Sequence, residues 1–341
     1  MTDRALFRVD AGPGIGLGHL QRSTALAHAL AARAVEVTLL TPALEVVGSK
    51  AALAGYELVP LALQLDGLGT AADLEQTLDT ARQRESRFVV VDSYRAGRQY
   101  LEALRAIGLT VVVFDDLADA PTPAHVLING AVGAEERDYR STTGDTVFLL
   151  GPRYAALQPG FRDAPQRQAR PLVAHVLVAV GGADPHGVLR RLVEWLDELP
   201  ARFEMDAVVG PFAETPAFAN AFRHPVRFRR APDGLDALMH AADLVVCGAG
   251  QTLYEAAASG APTVAIKLFD NQEPTYCGFL ASGAVRGGGA IGDSDLRERV
   301  VGSVRELLED PAARASLGRA GRQLVDGRGA ERVADRMMHG S

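Results

Sequence analysis

The sequence predicts an α/β fold with two halves of similar size. Short β-branched runs alternate with longer helical patterns, as in βαβ units that form a buried parallel sheet. The alternation pauses once near the middle of the chain and then starts again. Ala, Leu, Val and Gly dominate, and 48% of the 341 residues are hydrophobic, which suits helices packed on β-sheet.

The first half contains five predicted strands. The first is in the run ALFRVDA (5–11), and the other four are VEVTLL (35–40), RFVVVD (87–92), LTVVVFDD (109–116) and TVFLL (146–150). Helical segments such as AADLEQTLDTARQR and RQYLEALRAIG separate them. Parallel strands need such crossover helices, so the order predicts a parallel sheet.

A stretch rich in Pro, Arg and Gln marks the boundary between the halves. We predict an N-terminal domain over 1–155, a linker over 156–171 and a C-terminal domain over 172–341, whose last helix is expected to pack back on the N-terminal domain. The second domain restarts the pattern with LVAHVLVAVGGADPHG, MDAVVG, PVRFRRA, ADLVVCGAG and APTVAIKLFDN. Ligands bind at the carboxyl ends of parallel strands, so two such domains predict a cleft between facing strand ends.

Composition and charge exclude several classes of protein. The formal net charge is −7 and the arginines are interleaved with Asp and Glu, so we expect no nucleic-acid partner. The two cysteines, Cys247 and Cys277, form no disulfide framework or metal-ligand spacing, and we expect no metal and no cofactor. The charged N-terminus and the lack of an apolar run of roughly 18 residues predict a cytoplasmic protein without stable membrane insertion.

The stretch GPGIGLGHLQR (12–22) lies between the first strand and a helix. Its glycines stand at every second position, which fits neither G-x-G-x-x-G nor the P-loop and disfavours nicotinamide, flavin and P-loop NTPase functions. Glycines in this turn let the backbone approach a ligand closely. We therefore expect Asp10, Gly16 and Gly18 to contact a sugar.

His19 is predicted in the first turn of the helix that follows these glycines. A helix N-terminus disfavours the imidazolium cation, which lowers the pKa of a histidine and suits a general base at neutral pH. The alternative is that His19 only caps the helix. Arg22 lies three residues on and shares its face, where it either binds substrate or forms an ion pair.

A glycine pair ends the first strand of the second half. In VGGADPHG, Gly181 and Gly182 close an apolar strand, and Asp184 is a predicted N-cap for the next helix. A glycine turn that leads into a helix is a phosphate-cradling arrangement. The sequence therefore predicts a diphosphate site here, with a tight βα turn as the alternative.

A second glycine turn follows the strand ADLVVC. Gly248 and Gly250 precede Thr252 and Glu255, which lie at the start of a predicted helix. Glu255 either accepts hydrogen bonds from a ribose diol or completes a capping box with Thr252. Two glycine turns in one domain favour a nucleotide diphosphate as ligand.

Polar residues also follow other strands. Asn271 and Gln272, in KLFDNQEPTY, are expected to bind hydroxyl or acetamido groups of a sugar, with an Asx turn as the alternative. Asp115 and Asp116 either bind a metal or cap turns, and capping is the preferred interpretation. Five residues of the first half stand at strand ends predicted to face the same cleft: Asp92, Ser93, Tyr94, Asp115 and Asp116.

These motifs together resemble those of the PseG/SpsG-like UDP-sugar hydrolases of bacterial nonulosonic acid and surface-polysaccharide pathways. The resemblance runs in order through RVDAGPGIGLGHLQRSTALAHAL, VVVDSY, FDDLAD, LLGPRYAALQPGFR, VGGADP, ADLVVCGAGQTLYEAAASGAPTVAI and DNQ, about residues 6 to 285. It implies the GT-B architecture of two Rossmann-like domains, similar to the MurG transferase, with the nucleotide held mainly by the C-terminal half.

The resemblance also implies roles for matched residues. His19 corresponds to the histidine that activates water for attack on the anomeric carbon, without a metal. Tyr94 and Asn271 correspond to residues that line the sugar site. The UDP site would comprise Gly181, Gly182, Gly250, Thr252 and Glu255.

We therefore expect a hydrolase that releases UDP from a (di)acetamido-deoxy sugar with inversion, as in pseudaminic-acid-type biosynthesis. The alternatives are a GT-B glycosyltransferase, in which His19 activates an acceptor hydroxyl, and a non-catalytic nucleotide-sugar binding protein. The expected partners are a UDP-sugar and water, and the expected assembly is a monomer or weak dimer.

Overall fold

The computed structural model describes residues 2–12, 15, 17–42, 55–63, 65–162, 164, 167–218 and 221–339. The chain divides into two compact units. Unit 1 consists of Met1–Pro159 and Arg328–Ser341, and unit 2 consists of Gly160–Gly327. The first passage between the units thus lies within 156–171, the segment predicted as a linker.

Unit 1 is built on a parallel sheet of seven strands in the order β3-β2-β1-β4-β5-β6-β7. The strands are β1 (Arg4–Val9), β2 (Glu36–Pro42), β3 (Glu57–Leu61), β4 (Phe88–Asp92), β5 (Thr110–Phe114), β6 (Val126–Asn129) and β7 (Val147–Leu150). The central strands β1, β4 and β5 are almost completely buried, as expected where helices cover both faces of a parallel sheet.

Four helices in the described part of unit 1 accompany this sheet. They are α1 (Gly18–Ala31), α2 (Ala71–Gln83), α3 (Arg98–Ala106) and α10 (Gly329–His339). Helix α1 buries Leu20, Leu26 and Leu30 against the sheet at helical spacing. Arg33, just after α1, donates to Asp335 of α10 over 2.6 Å, so these two helices pack together within unit 1.

Unit 2 repeats the architecture with a parallel sheet of six strands in the order β10-β9-β8-β11-β12-β13. The strands are β8 (His175–Ala179), β9 (Glu204–Val209), β10 (Val226–Arg230), β11 (Leu244–Gly248), β12 (Thr263–Lys267) and β13 (Arg286–Ala290). The helices are α4 (Val188–Asp197), α5 (Asp236–Ala241), α6 (Gln251–Ala258), α7 (Glu273–Ala281), α8 (Leu296–Glu309) and α9 (Pro311–Leu324).

The predicted α/β fold with two parallel sheets is confirmed, but three strands were missed. β3 contains Pro60 and lies at a sheet edge, where proline is tolerated because no ladder hydrogen bond is lost. β13 carries three consecutive glycines and is also an edge strand. β6 has only four residues. The proline of β3 and the glycines of β13 are unfavourable in strands, whereas β6 contains the β-branched residues Val126 and Ile128 and was missed despite this signal.

Among the described residues, no helix is long and apolar enough to cross a membrane. The same residues contain no group of three or more His, Cys, Asp or Glu side chains arranged to hold a metal ion.

Candidate active site

The carboxyl ends of β1 and β4 lie side by side in unit 1. The backbone N–H of Asp10 donates to the carbonyl of Asp92 over 3.0 Å, which continues the pairing of the two strands beyond Val9. Strand order therefore brings together two polar residues that are 82 positions apart in the chain, 10 and 92. The amino end of α1 begins at the same edge of the sheet.

His19 is the second residue of α1, and its side chain is buried at this edge. Its Nδ1 makes a short hydrogen bond with Oδ1 of Asp92. The ring of Tyr94 approaches the imidazole edge-on, with 4.7 Å between the ring centroids. The imidazole is therefore fixed on one nitrogen by a carboxylate and on one side by an aromatic ring.

Asp92 receives hydrogen bonds on both oxygens. Arg22 donates from Nε to Oδ2 over 2.8 Å and from Nη2 to Oδ1 over 2.7 Å, and Ser23 Oγ donates to Oδ2 over 3.0 Å. Complete burial alone would raise the pKa of Asp92, but the charges of Arg22 and His19 and their hydrogen bonds hold it well below its usual range. Asp92 is thus an ionised acceptor.

An ionised carboxylate can only accept, so the proton of this contact belongs to Nδ1 of His19. Arg22 Nη2 also lies 3.3 Å from Nδ1, but that nitrogen cannot accept while it donates to Asp92. In the neutral form of the imidazole, the lone pair therefore lies on the other ring nitrogen, Nε2. A histidine held in this way can take a proton from a hydroxyl or from water.

Arg22 connects this pair to the end of β5. Its Nη1 donates to Oδ2 of Asp116 over 2.7 Å, and its guanidinium lies 4.8 Å from the ring centroid of Phe114. Burial opposes the charge of Arg22, but Asp116 and Asp92 raise its pKa well above the usual value. The structure therefore contains the ion pair that was the alternative interpretation of Arg22.

The other predicted residues of the glycine turn lie in different surroundings. Asp10 is only 3% exposed, and its oxygens accept from Arg8 Nη1 and Ser93 Oγ, each over 2.7 Å. Gly18 is exposed, and apart from its chain neighbours and the backbone of α1, no atom of the described residues lies within 4 Å of the position that a Cβ would take. Gly16 lies outside the described residues. Sugar contacts by these residues stay a prediction.

In unit 2, the turn after β8 contains Gly181 with a φ of 111°, a conformation that favours glycine. Gly182 follows it, and Asp184 accepts from the backbone N–H of Val188 over 2.7 Å and of Leu189 over 2.9 Å. These are the first two residues of α4. Asp184 therefore binds the amino end of α4, but the N-cap residue is Gly187, so the prediction of Asp184 as the N-cap residue is wrong in its position.

The turn after β11 passes through Gly248 and Gly250 into α6. The helix begins at Gln251, so Thr252 lies inside it, and no side chain caps its amino end. The capping box proposed as an alternative for Thr252 and Glu255 is therefore wrong. Both side chains are buried, Thr252 in the first turn of α6 and Glu255 in the second.

Gln272 lies beside this turn. Its Oε1 accepts from the backbone N–H of Leu268 over 2.9 Å. Its amide nitrogen would be 3.3 Å from a Cβ at Gly250. Asn271, its neighbour in a short 3-10 helix, is exposed. The predicted sugar-binding residue Gln272 thus lies next to a glycine of the predicted UDP site.

The structure brings His19, Arg22 and Tyr94 together in unit 1, and Gly250 and Gln272 together in unit 2. The sequence interpretation noted Asp92 and Asp116 as strand-end residues but missed that they hold His19 and Arg22. The order of the strands was the missing information, because β4 had to be placed directly beside β1 and β5 directly beside β4.

Comparison with known proteins found no matching family model. The chain is 28% identical to the spore coat polysaccharide biosynthesis protein SpsG of Bacillus subtilis over 216 residues, which are 61% of this chain and 62% of SpsG. It is 23% identical to an uncharacterized protein of Methanocaldococcus jannaschii over 289 residues, 80% of this chain and 57% of that protein. The chain therefore spans less than two thirds of the length of either relative.

Solved structures of glycosyltransferases have the same fold. Acinetobacter baumannii MurG superposes with a TM-score of 0.64 at 17% identity, covering 98% of this chain and 99% of MurG. The spinosyn forosaminyltransferase SpnP has a TM-score of 0.66 at 17% identity and covers 98% of both chains. At this level of identity the likeness establishes the fold, and the predicted GT-B fold is confirmed.

Proposed function

Since the chain resembles SpsG and has the GT-B fold of MurG, we propose that it is an enzyme that hydrolyses a UDP-sugar. The observation that carries this proposal is the contact between His19 and the ionised Asp92. SpsG is a spore coat polysaccharide biosynthesis protein, which supports a surface-polysaccharide pathway for this chain as well.

In the proposed reaction, Nε2 of His19 removes a proton from water as the water oxygen attacks the anomeric carbon. The bond between that carbon and the diphosphate oxygen breaks, and its electron pair leaves with UDP. A single displacement gives the free sugar with inverted configuration. The proton stays on His19, whose imidazolium is stabilised by Asp92, until it is returned to solvent.

Unit 2 would hold the leaving group. Backbone N–H groups of the turns after β8 and β11, and the amino end of α6, would supply donors for a diphosphate. The buried carboxylate of Glu255, in the second turn of α6, is proposed to bind the ribose. Asn271 and Gln272 would contact the sugar.

A glycosyltransferase is the second candidate, because the solved structures that share the fold are transferases. The same pair, His19 and Asp92, would then deprotonate an acceptor hydroxyl in place of water. Release of UDP and free sugar in the absence of any acceptor distinguishes the two functions. A requirement for an acceptor would establish the transferase.

A cytoplasmic location and a monomeric or weakly dimeric state stay predictions.

The role of His19 is tested by the His19→Asn variant, with His28→Asn as the matched control on the same helix. We expect His19→Asn to lower kcat by about 10²–10⁴-fold. The affinity for UDP, measured by calorimetry, should stay within about twofold because unit 2 is unchanged. Turnover by His19→Asn at the rate of the control would remove His19 from the mechanism.

A further inference from the structure

Asp116 is a carboxylate that no step of the proposed reaction uses. Its Oδ2 accepts from Arg22 Nη1 over 2.7 Å and from the hydroxyl of Tyr94 over 2.6 Å. Its Oδ1 receives no hydrogen bond from the residues that the structure describes, and the side chain is 27% exposed. One oxygen of this carboxylate is therefore held in place, and the other is accessible.

The backbone that carries Asp116 is held from several directions. Arg137 donates to the carbonyl of Asp116, and the hydroxyl of Tyr139 donates to the carbonyl of Asp115 over 2.7 Å. Asp115 Oδ1 accepts from the N–H of Ala118 over 3.2 Å. Ala118 has a φ of 55°, a conformation that costs a non-glycine residue about 1–3 kcal/mol. The turn is thus fixed at an energetic cost.

Arg22 does not need Asp116 as a counter-ion. Asp92 already binds the guanidinium through two hydrogen bonds, over 2.8 and 2.7 Å. Arg137 adds a second cation, but Asp115 adds another carboxylate beside Asp116. Three carboxylates thus face two guanidinium groups, and the surplus negative charge favours groups that donate hydrogen bonds and disfavours anions.

Tyr94 connects Asp116 to the base. Its hydroxyl donates to Asp116 and its ring lies 4.7 Å, centroid to centroid, from the ring of His19. Arg22 adds a second connection, because it donates hydrogen bonds both to Asp116 and to Asp92, the residue that holds His19. A sugar whose anomeric carbon is within reach of His19 would therefore lie close to the accessible oxygen of Asp116.

We propose that Asp116 accepts a hydrogen bond from the sugar, from a hydroxyl or an amide N–H, and thereby selects uncharged sugars over sugars that carry a carboxylate. The inference rests on the proposed function, because it takes a nucleotide sugar as the ligand. Asp116 acts here in substrate recognition and positioning. It takes no part in the proton transfer.

The experiment measures affinity by calorimetry in a His19→Asn background, which removes turnover. The probes are UDP, UDP-N-acetylglucosamine and UDP-glucuronic acid. The variants are Asp116→Asn, which removes the charge with little change of shape, and Asp116→Glu, which keeps it. Asp79→Asn, at an exposed position of α2, is the matched control.

The parent, which carries only His19→Asn, is expected to bind UDP-N-acetylglucosamine about tenfold or more tightly than UDP-glucuronic acid. The reason is that Asp116 repels the carboxylate of the glucuronic acid. Asp116→Asn should reduce this ratio to about threefold or less, with UDP affinity unchanged. Asp116→Glu and Asp79→Asn should keep the parent ratio. A mere structural role would lower all three affinities together.

Three results overturn the inference. In the first, the parent does not distinguish the two sugars. In the second, Asp116→Asn keeps the parent ratio. In the third, Asp116→Glu loses as much discrimination as Asp116→Asn, a result that also decides the matter if the Asn variant does not fold. Failure of hydrolysis alone leaves this readout intact, because it measures binding. A parent that binds none of the probes overturns the inference together with the proposed function.

Discussion

The two sheets have nearly the same strand order, but different kinds of residue follow the carboxyl ends of their strands. At the end of the unit 1 sheet, ionised side chains bind one another: Asp92, Arg22 and Asp116 form a continuous network that holds His19. At the end of the unit 2 sheet, glycine turns lead into helices, and Gly181 has a backbone conformation that other residues rarely adopt. One sheet end carries a buried histidine and a surplus of carboxylates, and the other carries glycine turns with backbone N–H groups.

Buried arginines show the same contrast. Arg8 of β1 donates to both oxygens of Asp73 and to Asp10, and these carboxylates raise its pKa despite its burial. Arg314 of α9 is equally buried but donates to backbone carbonyls, including those of Leu307 and Pro171, and desolvation lowers its pKa. Unit 1 balances charge with charge, whereas unit 2 satisfies its buried cation with carbonyl groups.

The difference fits a division of labour in the proposed reaction. Positive charge develops on a sugar ring as its bond to the diphosphate breaks, and a negative surrounding stabilises it. Negative charge develops on the departing diphosphate, and helix amino ends with backbone N–H groups stabilise that charge. The comparison can be tested by changing each end separately.

The largest effect is expected from Asp92→Asn. The amide keeps the shape of the carboxylate but can donate to Nδ1 of His19, which favours the tautomer with its proton on Nε2. We expect kcat to fall by about 10²–10⁴-fold while UDP affinity is kept. The measurement is steady-state turnover with calorimetry of UDP binding, and Asp119→Asn is the control. A fall of less than about threefold would contradict the role given to Asp92.

Arg8→Met compared with Arg314→Met tests the contrast between the buried arginines. Arg8→Met leaves Asp10 and Asp73 without their cation and should destabilise the protein by about 3–5 kcal/mol. Arg314→Met leaves only neutral carbonyls, at a cost of about 1–3 kcal/mol. Urea unfolding measures both free energies. Equal losses of unfolding free energy would show that the charges of Asp10 and Asp73 make no additional contribution to stability.

Gly181→Ala changes the other end of the comparison. An alanine at a φ of 111° is strained by about 1–3 kcal/mol, so the turn should shift and UDP affinity should fall by about tenfold. Gly302→Ala, inside α8 with open space around the new methyl group, is the control and should stabilise the protein by about 0.5–1 kcal/mol. Unchanged UDP binding by Gly181→Ala would remove this turn from the nucleotide site.

The smallest effect is a pH dependence. The folded-state pKa of Asp92 is lowered, so its stabilisation is complete above its ordinary pKa of about 3.9 and is lost as the pH falls further. Only the upper part of this loss is accessible before general acid unfolding. Urea midpoints between about pH 5 and 3 should fall less steeply for Asp92→Asn than for the wild type. Parallel pH curves would show that Asp92 is not held ionised.

Local patterns were sufficient to predict the fold and part of the site. The glycines before His19 and the glycine turns of unit 2 indicate their positions at strand ends without any knowledge of packing. The link between His19 and Asp92 could not be predicted, since it depends on the order of strands separated by more than 70 residues. Likewise, Asp73 has the pattern of an ordinary helix residue, and only the folded chain brings it to Arg8.

In the proposed reaction, water activated by His19 attacks the anomeric carbon. The direct measurement is a reaction in oxygen-18-labelled water without any acceptor, followed by mass spectrometry of both products. If water is the nucleophile, the label should appear in the released sugar and not in UDP. The rate should fall with His19→Asn but not with His28→Asn. Label in UDP, or no release of UDP until an acceptor is added, would contradict it.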